Sequence, residues 1–208
     1  MPLFLHLLQM AFDAGLSSWD FENDGKVDEL IAMMDEQFEL VMIAEHMEES
    51  IVLMADLMNW PLKQVAFISL NARPSNSTHR TPLSAEQKQI LRTVNSADVR
   101  IYEHFKAKFE LRIEEFGRGE MARRVDALKA YNRQLTEQCI KSVIPPEETP
   151  GSPDYPVFTY EINENAPEIC ELMTMEELKF TQLLKETQLR RFNKFEDYGG
   201  HEFMPPVN

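Results

Sequence analysis

Glycine and cysteine are scarce in this sequence, and long apolar runs are missing from it. Only seven of 208 residues are glycine and two are cysteine. No Gly-x-x-x-x-Gly-Lys, Gly-x-Gly-x-x-Gly, Gly-x-Ser-x-Gly, His-Glu-x-x-His or Cys-x-x-Cys occurs. These residues therefore contain no nucleotide cradle, hydrolase elbow, zincin helix or dithiol redox motif of the usual form. No apolar run approaches the roughly 20 residues that cross a bilayer. Met1–Met10 is apolar but has neither a basic start nor a small-residue cleavage site, so it reads poorly as a signal peptide. Taken literally, the chain has no targeting segment and would stay in the cytosol. Cys139 and Cys170 can pair only if the fold brings their Cα atoms within about 7 Å. The spacing leaves that open, and two partly buried free thiols is the simpler expectation. One glycosylation triplet, Asn76-Ser77-Thr78, carries meaning only in a secretory protein.

What is present is a globular composition, 43% apolar and 27% charged, with a net charge of −14. That balance argues against nucleic acid as a partner, because phosphate contacts need a basic surface. The charge is uneven. Residues 1–70 hold 2 basic and 13 acidic side chains, residues 71–141 hold 14 and 9, and residues 142–208 hold 5 and 13. An anionic ligand is expected on the middle third. For residues 101–141 the charges are expected to be a solvated helix surface instead.

The apolar periodicity predicts a helix from Pro2 to a stop at Gly15, and another over Val27–Gln37. Phe38–Ile43 is a short, mostly apolar run that reads as a buried strand, Glu45–Asn59 as a helix broken by Trp60-Pro61, and Val65–Leu70 as a second strand. Strand, helix and strand within about 33 residues predict a βαβ unit and a parallel α/β sheet. Asn71–Pro82 is a loop. Ser84 is the expected N-cap of a helix, with Gln87 at the reciprocal capping position. Ser96–Phe116 and Glu120–Gln138 are helical on either side of Gly117-Arg118-Gly119. Residues 142–168, rich in proline, read as a linker or extended arm, and Thr174–Phe195 as a helix.

Two constellations carry chemistry. Glu45-His46-x-Glu48-Glu49 is the densest ionisable cluster, with His46 and Glu49 on one helix face. No second Glu-x-x-His supplies the other half of a metal site, so acids near a helix start is the simpler reading. Asn71-Ala72-Arg73 directly follows the second expected strand, and ligands of parallel sheets gather at strand carboxyl ends. Asn71 and Arg73, with Ser75 and Arg80 behind them, are the candidate anion contacts, Arg73 because a guanidinium grips a phosphate with two hydrogen bonds. No metal site and no catalytic base emerges.

The run from Phe38 through Glu45-His46-Met-Glu-Glu-Ser50 to Met54, then Leu57-Met-Asn-Trp60-Pro and Leu70-Asn-Ala-Arg73, resembles the galactose-3-O-sulfotransferase and galactosylceramide sulfotransferase family. The resemblance continues through Asn95-Ser-Ala-Asp98, Ile101-Tyr-Glu-His-Phe105 and Phe116-Gly-Arg-Gly-Glu-Met-Ala-Arg123 to Cys139-Ile140, with Phe12-Asp-Ala-Gly15 upstream. It covers about residues 10–140, and residues 142–208 do not visibly match. It implies an α/β chain, part of a P-loop-kinase-like sulfotransferase fold with short parallel strands and a predominantly helical C-terminal half. Residues 1–141 are then the C-terminal part of the sulfotransferase domain, and 142–208 a Pro-rich linker and helix. It implies 3′-phosphoadenosine-5′-phosphosulfate as donor without a metal, and a galactose-terminated glycolipid or glycan as acceptor. It implies a Golgi lumenal domain held by a membrane anchor not present in these residues, as in the type II glycoproteins of the family. The family's donor loop, a strand-loop-helix with Lys and Ser/Thr, is likewise not among these residues, so a fragment or incomplete gene product is expected. The rival expectation is a non-catalytic helical interaction module derived from that family.

Overall fold

A computed structural model describes residues 9–70, 83–145 and 158–196. The chain forms two compact units: residues 1–66 with 76–133, and residues 67–75 with 134–208.

The first unit is built of helices. Helix α1, Gln9–Asp13, is short and ends where Gly15 takes a φ of +101°. The Gly15 and Leu16 amides then close onto the carbonyls of Phe12 and Ala11, the left-handed termination expected of a glycine there. Helix α2, Asp24–Gln37, starts at Asn23, whose side chain accepts the Lys26 amide. Helix α3, Met47–Leu57, is preceded by a 3-10 turn over Ala44–His46. It ends with Asn59 at a φ of +52° and with the Trp60 amide bonded to the Ala55 carbonyl. Helix α4, Ala85–Val94, carries the reciprocal Ser84–Gln87 cap. Helix α5, Ser96–Phe116, stops at Gly117, φ +92°, and α6, Arg118–Cys139, begins beyond it.

Burial follows the helical repeat. Ile101, Phe105, Phe109 and Ile113 recur every four residues along α5 and are buried. One cluster joins Ile101 and Phe105 to Ala11, Leu16, Val27 and Leu30. The Asp98 carboxylate accepts the amides of Met10 and Ala11, 3.1 and 2.8 Å away, and so ties α1 to α5. On α6, Met121, Val125 and Leu128 are buried in this unit. In α3, Ile51, Val52, Leu53 and Ala55 are all buried, so it is covered on more than the one face that its periodicity predicts.

Among the described residues the expected parallel sheet is not found. Phe38 and Ile43 have extended backbones, yet residues 38–43 enter no ladder, and of the second expected strand, Val65–Leu70, Val65 closes a 3-10 turn over Leu62–Val65 while the rest enters no ladder either. The α/β expectation is thereby corrected to a mostly helical chain. An apolar run reports burial, whereas a strand also needs a neighbour for its amides and carbonyls. At Ile43 a side chain does that work: the buried Ser50 hydroxyl accepts the Ile43 amide at 3.0 Å and donates to its carbonyl at 3.2 Å.

The described residues form a single sheet, which lies in the second unit and is antiparallel: β1, Ile140–Ile144, pairs with β2, Thr159–Ile162, with an irregularity at Lys141. Lys141 and Ser142 both donate to the Glu161 carboxylate, each at 2.7 Å. These contacts, the Lys141 one foremost, hold that carboxyl below its usual range. Asn163 closes α6, its amide bonding the Cys139 carbonyl and its side chain those of Glu137 and Gln138. Beyond it lie α7, Ile169–Thr174, and α8, Glu177–Glu196. The core here is small: Ile68, Cys139 and Cys170 are buried, with Leu135, Ile140, Tyr160, Ile162 and Met173 against them. Cys139 and Cys170 form a disulfide with Cα atoms 5.3 Å apart. The free-thiol expectation is therefore overturned, because the α6 end and α7 meet in one core, which their spacing in sequence does not reveal.

Candidate functional site

The four anion-contact candidates, Asn71, Arg73, Ser75 and Arg80, lie outside the described residues, as does the Asn76 triplet. What the structure describes is the segment leading to them. Ile68 sits in the disulfide core, and the Tyr160 hydroxyl donates to the Ser69 carbonyl at 2.6 Å. The second unit thus holds the approach to Asn71 from its β2 strand.

Along α5 the basic side chains of the middle third form a charged helix surface that faces acids of the fold. Arg100, His104, Lys108 and Arg112 lie four residues apart on α5 and meet acids of the N-terminal third in the same order. Arg100 bonds Asp24 and Asp28; His104 and Lys108 sit 2.9 and 2.6 Å from Asp35; Arg112 is 3.0 Å from Glu39. Arg124 pairs with Asp56 and Lys129 approaches Glu48. Part of each charge block therefore answers the other within the first unit. Lys108, with His104, keeps the Asp35 carboxyl below its usual range. Glu45 is likewise held low, first by the Tyr102 hydroxyl and then by Lys106, whose own ammonium is raised by the same Tyr102 and Glu45 contacts.

The Glu45–Glu49 cluster opens onto a cleft of about 320 Å³ in the first unit. His46 Nδ1 stands 3.8 Å from Glu49 and its Nε2 4.0 Å from Glu110, which also faces Arg118 at 3.4 Å. Ile113, Met121 and Val125 line the cleft below them. The shared face of His46 and Glu49 was legible from their spacing, whereas Glu110 and Arg118 come from distant helices. Among the described residues no group of three or more His, Cys, Asp or Glu side chains is placed to hold a metal. Nor is any helix among them long and apolar enough to cross a membrane.

The second unit carries an open pocket of about 620 Å³ between Leu70, β2, the end of α7 and the start of α8. Its lining is mainly apolar and aromatic, including Phe158, Tyr160, Leu172 and Phe180. The pocket offers a phosphosulfate little: its one lysine, Lys179, is paired with Glu176 at 3.2 Å, and Glu177 adds a further carboxylate.

With these features placed, comparison with known proteins defines the class. The Galactose-3-O-sulfotransferase family model matches residues 3–145. The chain belongs to the galactose-3-O-sulfotransferase family. Among its relatives, the Bos taurus galactosylceramide sulfotransferase is 38% identical over 129 residues, 62% of this chain and 30% of the relative. The Bos taurus galactose-3-O-sulfotransferase 3 is 30% identical over 185 residues, 82% of this chain and 43% of the relative. The Sus scrofa galactose-3-O-sulfotransferase 2 is 28% identical over 193 residues, 86% and 48% of the respective chains. The chain thus spans between about a third and a half of the length of these relatives. Matches covering 82% and 86% of the chain necessarily pass residue 142, so the likeness reaches into the segment where none is visible by eye. No solved structure matches.

Proposed function

We propose that this protein moves a sulfo group from 3′-phosphoadenosine-5′-phosphosulfate to the 3-hydroxyl of a terminal galactose on a glycolipid or glycan. The observation that carries the reading is the family match over residues 3–145, joined by 38% identity to a galactosylceramide sulfotransferase. In the transfer the galactose oxygen attacks sulfur, the bond from sulfur to the phosphate oxygen breaks, and 3′-phosphoadenosine-5′-phosphate departs. The demands are in-line placement and cationic stabilisation of the departing phosphate. Arg73, with Asn71, Ser75 and Arg80, is proposed to supply donor contacts. The clasp of Tyr160 on Ser69 supports this by fixing the chain two residues before Asn71. A buried disulfide fits a lumenal, oxidising compartment such as the Golgi.

The test is sulfate transfer. The protein, expressed from its complete coding sequence in a secretory host, is given labelled donor with galactosylceramide or a soluble β-galactoside. Label on the galactose 3-position is expected. Absence of transfer to any galactoside, with the bovine relative active in parallel, refutes the reading. The 208 residues alone are expected to be silent in this assay, because no run in them has the form of a phosphosulfate cradle.

A further inference from the structure

The apolar pocket of the second unit offers a donor anion a single lysine, already paired with Glu176, and its chemistry selects something else. Most of its polar side chains are already engaged. The Tyr160 hydroxyl is spent on Ser69, the Thr174 hydroxyl donates to the Cys170 carbonyl at 2.8 Å, and Lys179 is paired with Glu176. A polar ligand would have to displace these bonds, whereas an apolar one need not. What remains open is hydrocarbon and ring: Leu70, Leu172 and Phe180 are 37%, 40% and 39% exposed beside Tyr160. A volume of about 620 Å³ suits a ligand rather than a packing defect. The two glutamates of the rim, on a chain of net charge −14, repel an anionic head group.

We propose that this pocket receives the hydrocarbon portion of a neutral glycolipid acceptor, leaving its sugar outside. The inference rests on the reading of the protein as a galactose sulfotransferase and names the lipid part of its substrate. Two features commit the pocket to that occupant. The carboxylate that Lys179 leaves unpaired, Glu177, disfavours an anionic lipid such as a fatty acid while tolerating an uncharged one. Leu70, part of the lining, is covalently followed by Asn71, the first of the proposed donor contacts, so a lipid seated here is anchored at the start of that segment. Each methylene withdrawn from water adds affinity, so binding should grow with chain length.

The experiment uses a fluorescent short-chain ceramide that carries no galactose, titrated into the protein expressed from its complete coding sequence. Saturable binding is expected, displaced by unlabelled galactosylceramide and not by lactose. Leu172→Ser and Phe180→Ser should each weaken it about tenfold, while Lys179→Ala should leave it unchanged, since no head-group charge is being held. Both apolar side chains are partly exposed, and circular dichroism checks that each variant is folded. Absence of saturable binding overturns the proposal, as does binding indifferent to both substitutions. So does a signal that tracks self-association in sedimentation, because the patch would then be a contact between copies. Failure of the two readings is distinguishable. Sulfation of galactosylceramide without ceramide binding removes the pocket and keeps the enzyme, whereas ceramide binding without sulfate transfer keeps the pocket as a lipid site and removes the enzyme.

Discussion

Breaking the Cys139–Cys170 bridge should loosen the second unit selectively. The bridge closes a loop of 31 residues, and chain entropy makes such a closure worth about 3.7 kcal/mol at 25 °C. Among the described residues only Ile68 joins the two half-cystines as a buried member of that core, so few apolar contacts are available to compensate. Set against the 5–15 kcal/mol typical of a whole domain, the loss is large. In a Cys139→Ala/Cys170→Ala double variant, amides of β1 and β2 should exchange with solvent roughly 500-fold faster, the same free energy expressed as an opening constant. Native-state hydrogen exchange read by mass spectrometry measures this. Both tryptophans, Trp19 and Trp60, lie in the first unit, so their fluorescence gives an internal reference for its folding in the same sample. Reductant acting on the unaltered protein should reproduce the effect. Unchanged protection of residues 140–144 and 159–162 in the double variant would show the disulfide to be incidental and the core account mistaken.

Arg73→Ala should lower donor affinity about 10- to 150-fold, the loss of a charged hydrogen bond, with little change in melting temperature. Arg73→Lys should recover only part of it, because an ammonium makes no fork, and unchanged donor affinity in a folded Arg73→Ala variant removes the residue from the site. Asp35 is held below its usual pKa by Lys108 and His104, so its stabilisation is complete above the unfolded value near pH 4 and fades as pH falls through the lower folded value. Asp35→Asn should accordingly reduce stability at neutral pH and flatten the acid limb below about pH 4, measured as melting temperature against pH. An acid limb of unchanged slope counts against the pairing. Ser50→Ala leaves the buried Ile43 amide without its acceptor, at a cost of about 1–3 kcal/mol in denaturant titration; a neutral result would mean another group takes over.

The parts of the fold that the sequence announced are those governed by local chemistry. Gly15 and Gly117 take the left-handed backbone that ends their helices. Ser84 and Gln87 make the reciprocal cap. Phe105, Phe109 and Ile113 bury one side of α5 as their spacing requires. The missed parts depend on distant partners. Residues 38–43 and 66–70 have strand-like composition, but ladder formation is a property of neighbours. The disulfide joins residues 31 apart, whose approach depends on α6 ending under Asn163. The ion pairs of α5 were only half visible. Arg100, His104, Lys108 and Arg112 recur at four-residue intervals, a signal readable as a charged helix edge, yet only the packing of α2 beside α5 shows which acids answer it. Of the site, the face shared by His46 and Glu49 was legible, whereas the pocket beside Leu70 collects residues from three separate stretches of chain.

The second unit borrows residues 67–75 from the middle of a stretch that otherwise builds the first. During synthesis that borrowed segment is made early and then has to wait. At 5–20 residues per second, Ile68 precedes Cys139 by at least several seconds, and Tyr160 and Cys170 come later still. Over that interval Ile68 and Leu70 have no core to enter and the Ser69 carbonyl has no tyrosine to hold it. The nascent chain therefore presents a sticky apolar tract at the edge of the segment carrying Arg73, and its safe passage depends on whatever shields it until α7 arrives and the cysteines are oxidised.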